Sequence, residues 1–191
     1  MENRVIETTY FAQKGKQNTS QTLEIAERYA EQMGIHRLVV ATTHGATGRA
    51  AAEMLQNYEV IVVTHSTGFS EPNTQSLTEE NRQAIEAAGA RLLTCQHAFG
   101  GVGRAVRINL SGHQVDEIIA HTLRTMGQGV KVACEISLMA ADAGLVRTDE
   151  DVIAIGGSGH GADTAVVLQP ANAMRFFELR LRGILCKPWD F

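Results

Sequence analysis

The residues best placed to do chemistry lie where an apolar run gives way to small hydroxyl and glycine residues and then to an alanine-rich stretch: Val39-Val-Ala-Thr-Thr-His-Gly-Ala-Thr-Gly-Arg-Ala-Ala. Read as strand, loop and helix, this order aims free helix N–H groups, the positive end of the helix dipole and the hydroxyls of Thr42, Thr43 and Thr47 at one point. An anion fits there. His44, Gly45 and Gly48 belong to the same loop, and Arg49 adds charge if it points back toward it. The plainer alternative is a strand-to-helix connection in which Thr47 is only an N-cap. No Gly-Lys-Ser/Thr ends the stretch, so it is not a Walker loop.

A second stretch reads Val152-Ile-Ala-Ile-Gly-Gly-Ser-Gly-His-Gly-Ala-Asp-Thr-Ala-Val-Val-Leu. Its glycines, Gly157, Gly159 and Gly161 among them, allow positive φ and close backbone approach to a ligand, and Ser158, His160 and Asp163 add polar groups. A hairpin loop is the alternative, but eight residues from Gly156 to Asp163 are long for one, which favours binding. His44, His65 and His160 each follow a strand, where α/β proteins place ligands. Gly101-Val-Gly103 lacks the third glycine of a dinucleotide fingerprint, and Gly157-Ser-Gly lacks the frame of a nucleophile elbow. Cys134 reads as core and Glu135 as a paired or partly buried carboxylate. The seven histidines show no H-x-x-x-H spacing, so no metal site is expected.

Both loops need strands and helices to hold them. Short β-branched runs alternate with helical spacing, the pattern of an α/β protein with a mostly parallel sheet. Strands are expected over residues 4–10, 36–43, 60–65, 90–96, 152–155 and 164–168. The first helix carries its apolar stripe on Leu23, Ala26, Tyr29, Ala30 and Met33, capped by Asn18 and closed by Gly34. Others are expected over 48–57, from Ser76 in a capping-box pattern to Gly89, and over 114–126 and 130–143. Residues 99–112, rich in glycine, read as a flap without assigned structure.

Composition sets the class. The 191 residues are 44% hydrophobic and 20% charged, with a net charge of −4, so one ordinary globular domain over 1–191 is expected and disorder is not. No basic cluster is present for a nucleic-acid backbone. Three widely spaced cysteines, Cys95, Cys134 and Cys186, suit a reducing compartment. Without an apolar leader or long apolar span, the expected location is the cytoplasm, away from membranes.

Val40-Ala-Thr-Thr-His-Gly-Ala-Thr-Gly resembles, without a gap, the loop V-L-T-E-S-G-R-S-A of the pyruvate kinase C-terminal α/β domain, which holds a phosphate of that enzyme's sugar-bisphosphate activator. Thr42, Gly45 and Thr47 match its Thr, Gly and last Ser; His44 stands at the first Ser and Ala46 at the arginine. Gly129-Val-Lys-Val-Ala-Cys-Glu-Ile, Met139-Ala-Ala-Asp-Ala-Gly, Gly161-Ala-Asp-Thr-Ala-Val-Val and Pro170-Ala are similar to a group of stand-alone proteins built on that domain alone. The resemblance implies a three-layer α/β/α fold with strand order 3-2-1-4-5, the last strand antiparallel, plus extra terminal strands. It also implies a flavin-mononucleotide-type ligand and no established reaction. The pyruvate kinase barrel has no counterpart here, so a pocket, not kinase chemistry, is what carries over.

The expectation is therefore a binding protein for a phosphorylated small molecule, FMN or a similar nucleotide. Its phosphate would sit on Thr42, Gly45, Thr47 and the N–H of Gly48, its remainder against 157–163, with His65 and Thr67 at the rim. The alternative is an enzyme using the same pocket for flavin-dependent or phosphate-ester chemistry, with His44, His160 and Asp163 as acid–base groups. The tail from Phe176 to Lys187 alternates apolar with charged residues. It could offer an open edge for a homo-oligomer or pack on its own sheet through Phe177, Leu179 and Leu181.

Overall fold

The computed structural model describes residues 3–191. Seven strands form one sheet: β1 (Thr9–Phe11), β2 (Arg37–Ala41), β3 (Glu59–Val63), β4 (Arg91–Leu93), β5 (Val152–Gly156), β6 (Thr164–Gln169) and β7 (Arg180–Pro188). Their order is β1-β7-β6-β5-β2-β3-β4. Strands β2, β3, β4 and β5 run parallel, and β6 is antiparallel to both β5 and β7. Counted from β2, the inner strands follow the order 3-2-1-4-5 with the last antiparallel, and β7 and β1 extend the sheet beyond it. The fold is the expected three-layer α/β/α arrangement.

Six α-helices are formed among the described residues, α1 (Thr19–Met33), α2 (Ala46–Met54), α3 (Glu79–Ala87), α4 (Gly101–Leu110), α5 (Val115–Arg124) and α6 (Gln128–Asp142); α1, α2, α3 and α6 pack on the sheet, α5 packs on α6, and α4 packs on α5. Side chains alternate across a strand, so each strand feeds two cores. Leu38, Val40, Val62, Ile153, Ile155 and Val167 pack with Leu23, Ala26, Ala51 and Ile85 of α1, α2 and α3. Val39, Ile61, Val63, Ala154 and Val166 pack on the other face with Ala133, Ile136 and Leu138 of α6 and Ala120 of α5. Among the described residues no helix is long and apolar enough to cross a membrane.

Several local expectations are corrected. Asn18 does not cap α1: its Nδ2 donates to the Gln13 carbonyl at 2.6 Å, and a 3-10 turn over Lys16–Asn18 leads into the helix. Gly34 closes α1 in the left-handed conformation, as expected. Thr78, not Ser76, caps α3, accepting the Asn81 N–H at 3.3 Å. The first strand is only Thr9–Phe11, because the preceding backbone is taken up by Tyr29, whose hydroxyl bonds both the N–H and the carbonyl of Glu7. The glycine-rich segment is the helix α4. Its Gly103 lets α4 lie close to α5, since a Cβ there would stand 2.5 Å from the Asp116 carboxylate and push that side chain aside.

The tail is no open edge either. β7 lies between β6 and β1. Phe176, Leu179 and Leu181 pack on the sheet, whereas Phe177 is 88% exposed; the 3-10 segment Ala173–Glu178 turns that ring outward.

A candidate anion cavity at the C-terminal edge of the sheet

Three helices present their N-termini to the edge where β2 and β5 end. α2 starts directly after β2. α1 is held there because Thr19 Oγ1 accepts the Ala162 N–H at 3.0 Å. α6 arrives from the opposite face, with Gly129 so close to β6 that a Cβ would lie 2.1 Å from Thr164 Oγ1. Between them opens a cavity of about 570 Å³, within the range of small-molecule sites. The positive helix ends converge on it.

The first loop reaches the cavity as expected, but its capping differs. Gly45 is the N-cap of α2, at φ +104, and a Cβ there would meet Asn81 at 2.4 Å. Thr42 Oγ1 accepts the N–H groups of Gly45 and Gly48 at 3.2 and 3.3 Å. The Gly48 amide is therefore spent within the protein and cannot serve a ligand as expected. The amides of Ala46 and Thr47 have no partner among the described residues. Thr47 lies inside the helix, 9% exposed and on the cavity wall, so it is not the cap. Arg49 turns away to Glu53 and Glu80.

The second loop brings Gly157, Gly159, His160 and Gly161 to the same cavity. Thr42, Thr43, His44, Thr47 and His65 line it too. Gly45, Gly48, Thr67, Ser158 and Asp163 do not. Asp163 is fully buried, and its carboxylate accepts the N–H groups of Gly15 at 2.9 Å and Ser158 at 3.2 Å and the hydroxyl of Thr164 at 2.9 Å. It fastens the loop to the turn before α1 and is committed to that task, which removes it from the acid–base set His44, His160 and Asp163. The Ser158 hydroxyl is buried, and Thr67 stands in the exposed loop after His65.

The far wall adds groups that the sequence by itself does not place at the cavity. Lys131 and Glu135, one helical turn apart on α6, are 4% and 3% exposed and paired at 2.5 Å. Glu135 also accepts the Phe99 N–H at 3.1 Å and has His97 Nδ1 at 3.7 Å. Burial alone would raise the Glu135 carboxyl, but His97 and Lys131 hold it down to about 2, and burial lowers Lys131. His65 is pushed below the usual imidazole value by burial and by His97, so it is neutral at neutral pH and can bond Thr43 Oγ1, 3.4 Å from its Nε2. The rings of His65, Phe69 and His97 lie 4.3 to 5.3 Å apart by centroid, and Arg104 covers Phe69 at 4.9 Å. Glu135 was legible as a paired carboxylate; its place on a cavity wall follows only once α6 is seen to cross the ends of β2 and β5.

The depressed Glu135 value makes stability pH-dependent. Between about 4.5 unfolded and about 2 folded, the unfolded chain binds more protons, so stability falls as pH falls through that window. Urea midpoints of the wild type measured from pH 6 downward should drop more steeply than those of Glu135→Gln, and equal slopes would remove Glu135 as the cause.

The family model described as pyruvate kinase, alpha/beta domain, matches residues 20–168. Among solved structures, the chain is similar to O-ureido-L-serine synthase, at 17% identity over 71% of this chain and 50% of that one, TM-score 0.32. It is also similar to a pyridoxal 5'-phosphate-dependent aspartate racemase, at 15% identity over 74% of this chain and 47% of that one, TM-score 0.32. The chain spans about half the length of each.

Proposed function

The chain belongs to the pyruvate kinase alpha/beta domain family, and from that premise we propose that its cavity binds a phosphorylated small molecule, FMN or a similar nucleotide. One observation carries the reading. Of the charged groups lining the cavity, Lys16, Arg104 and Arg124 have no carboxylate partner among the described residues, while the single acid, Glu135, is already matched by Lys131. Elsewhere arginines are mostly paired, as Arg37, Arg49, Arg82, Arg91, Arg107, Arg147, Arg175 and Arg182 are. An uncompensated positive cavity beneath three helix N-termini favours an anion.

The phosphate is assigned to the N–H groups of Ala46 and Thr47, the hydroxyls of Thr43 and Thr47, and Lys16 and His160 across the gap. Arginine guanidinium is suited to oxygen-rich edges and to stacking on flat rings, so Arg104 and Arg124 serve the remainder of the ligand. His65, Phe69 and His97 supply the aromatic surface for its ring. The residues present fit FMN in charge, volume and aromatic lining; a bound flavin would bring hydride and one-electron chemistry, for which this chain contributes binding and orientation.

The test is an absorption spectrum of freshly purified protein followed by calorimetric titration with FMN and with inorganic phosphate. Retained flavin bands, or saturable FMN binding, are expected. Binding of phosphate without FMN would remove the flavin and keep the anion site. A colourless protein that binds neither would overturn the reading.

A further inference from the structure

Four of the chain's seven histidines, His44, His65, His97 and His160, line the cavity. They reach it from the loops after β2, β3, β4 and β5, and histidine is the side chain whose charge ordinarily changes within the physiological pH range. His44 and His160 are exposed, whereas His65 and His97 are partly buried and stand edge-on with ring centroids 5.3 Å apart.

The two partly buried rings are not equivalent. His97 Nε2 accepts the Ser66 N–H at 3.4 Å, so in the neutral ring the proton is on Nδ1, which faces Glu135 Oε1 at 3.7 Å. Both of its nitrogens are engaged. His65 Nε2 lies instead 3.4 Å from Thr43 Oγ1, a hydroxyl assigned above to the phosphate. While Nε2 is bare it takes the Thr43 proton and leaves oxygen lone pairs toward the anion. Once protonated, Nε2 donates to Thr43 Oγ1, and the hydroxyl proton is released to the anion.

We propose that His65 is the proton switch of the anion site: its ring takes up a proton as the anion binds, and affinity rises as pH falls below neutral. The inference rests on the anion reading above. Burial and the neighbouring His97, Arg104 and His44 weigh against a positive charge on His65, and Glu135 alone weighs for it. The remaining charges around the space are Lys16 from the turn before α1, Arg124 of α5, Lys131 of α6, closed on Glu135, and His160. Glu71, the acid of the loop that follows His65, does not line it. A phosphate on Thr43 brings negative charge to the ring's own hydrogen-bond partner and reverses this balance. Coupling is reciprocal, so the proton strengthens the anion by the same factor as the anion strengthens the proton. For one proton the gain is at most about tenfold per pH unit.

Calorimetric titration with inorganic phosphate, at about pH 6 and about pH 7.5 and in buffers of different ionisation enthalpy, counts the protons taken up. Phosphate titrates on its own account, so each value is compared with His65→Gln, which offers Thr43 an amide donor and no charge that changes. The wild type should take up more proton than His65→Gln at the lower pH and gain about three- to tenfold more affinity between the two. His121→Gln, from the edge-on pair His113 and His121 at 5.9 Å that does not line the cavity, should match the wild type. The His65 ring resonances of the wild type should titrate at higher pH with saturating phosphate than without it, a readout that needs no variant. Equal proton uptake in wild type and His65→Gln, or a His65 midpoint that phosphate does not move, overturns the switch and leaves the anion site standing. A wild type that binds neither phosphate nor FMN removes both.

Discussion

Lys131→Met is expected to lower the unfolding free energy by about 3–5 kcal/mol, the cost of leaving one member of a buried ion pair without the other. Glu135 is 3% exposed, and its Oε1 is already engaged by the Phe99 amide. Without Lys131 only His97 Nδ1, 3.7 Å away, is left to balance the carboxylate, which otherwise must remain charged against burial or take up a proton. Lys131→Met with Glu135→Gln should recover most of the loss, because the glutamine oxygen still accepts the Phe99 N–H while the charge is gone. Urea unfolding of wild type, single and double variants measures both effects. If Lys131→Met alone stays within about 1 kcal/mol of wild type, the two side chains do not act as a buried ion pair. The comparison also bears on why the pair exists. Buried ion pairs seldom stabilise more than apolar residues of the same shape, so a double variant as stable as wild type but weaker in ligand binding assigns the pair to the cavity.

Thr47→Glu is expected to weaken phosphate and FMN binding by at least about 2–3 kcal/mol, since hydrogen bonds to charged groups contribute about 1.5–3 kcal/mol each and the new carboxylate adds repulsion. The position makes this a clean test. Thr47 is the second residue of α2, not its cap, so the substitution leaves the Thr42 and Gly45 capping bonds in place. A carboxylate in the first helical turn is favoured by the dipole by about 0.3–1 kcal/mol, and the cavity gives it room. Thr47→Ala is the control: it removes one hydroxyl and adds no charge. Calorimetric titration with inorganic phosphate and with FMN should show a large loss for Glu and a small one for Ala. Equal dissociation constants for wild type and Thr47→Glu would place the anion elsewhere.

The strands and the two glycine-rich loops are legible in sequence because each depends on short-range signals, apolar runs such as Leu38–Val40 and glycines that end them, whereas the sheet order comes only from the resemblance to the pyruvate kinase domain. Strand pairing then brings loops more than a hundred residues apart to one edge. What stayed hidden depends on direction. A sequence shows that Asp163 is polar and near a loop, but not that it points inward to three donors. Likewise, Thr42 and Thr47 are the same residue type in the same loop, yet one closes the helix and the other faces the cavity. Residues 99–112 were read as irregular because glycine disfavours helix, while Gly103 serves the close approach of α4 to α5. Phe177 and Phe176 are neighbours of equal hydrophobicity, and only the 3-10 turn decides which is buried.

The bonds that Asp163 makes have a kinetic consequence. By tying the Gly15 turn and the Ser158 loop to one carboxylate, the protein makes that side of the cavity a fixed jamb, unable to swing without breaking several charge-assisted contacts. α4 stands on the other side with no buried residue, bounded by Gly101 and Ser111, both at positive φ, and segments held by so few buried contacts are the first to open. A ligand held in the cavity would therefore enter and leave on the α4 side, past Arg104, and its residence time would follow how often this one helix lifts.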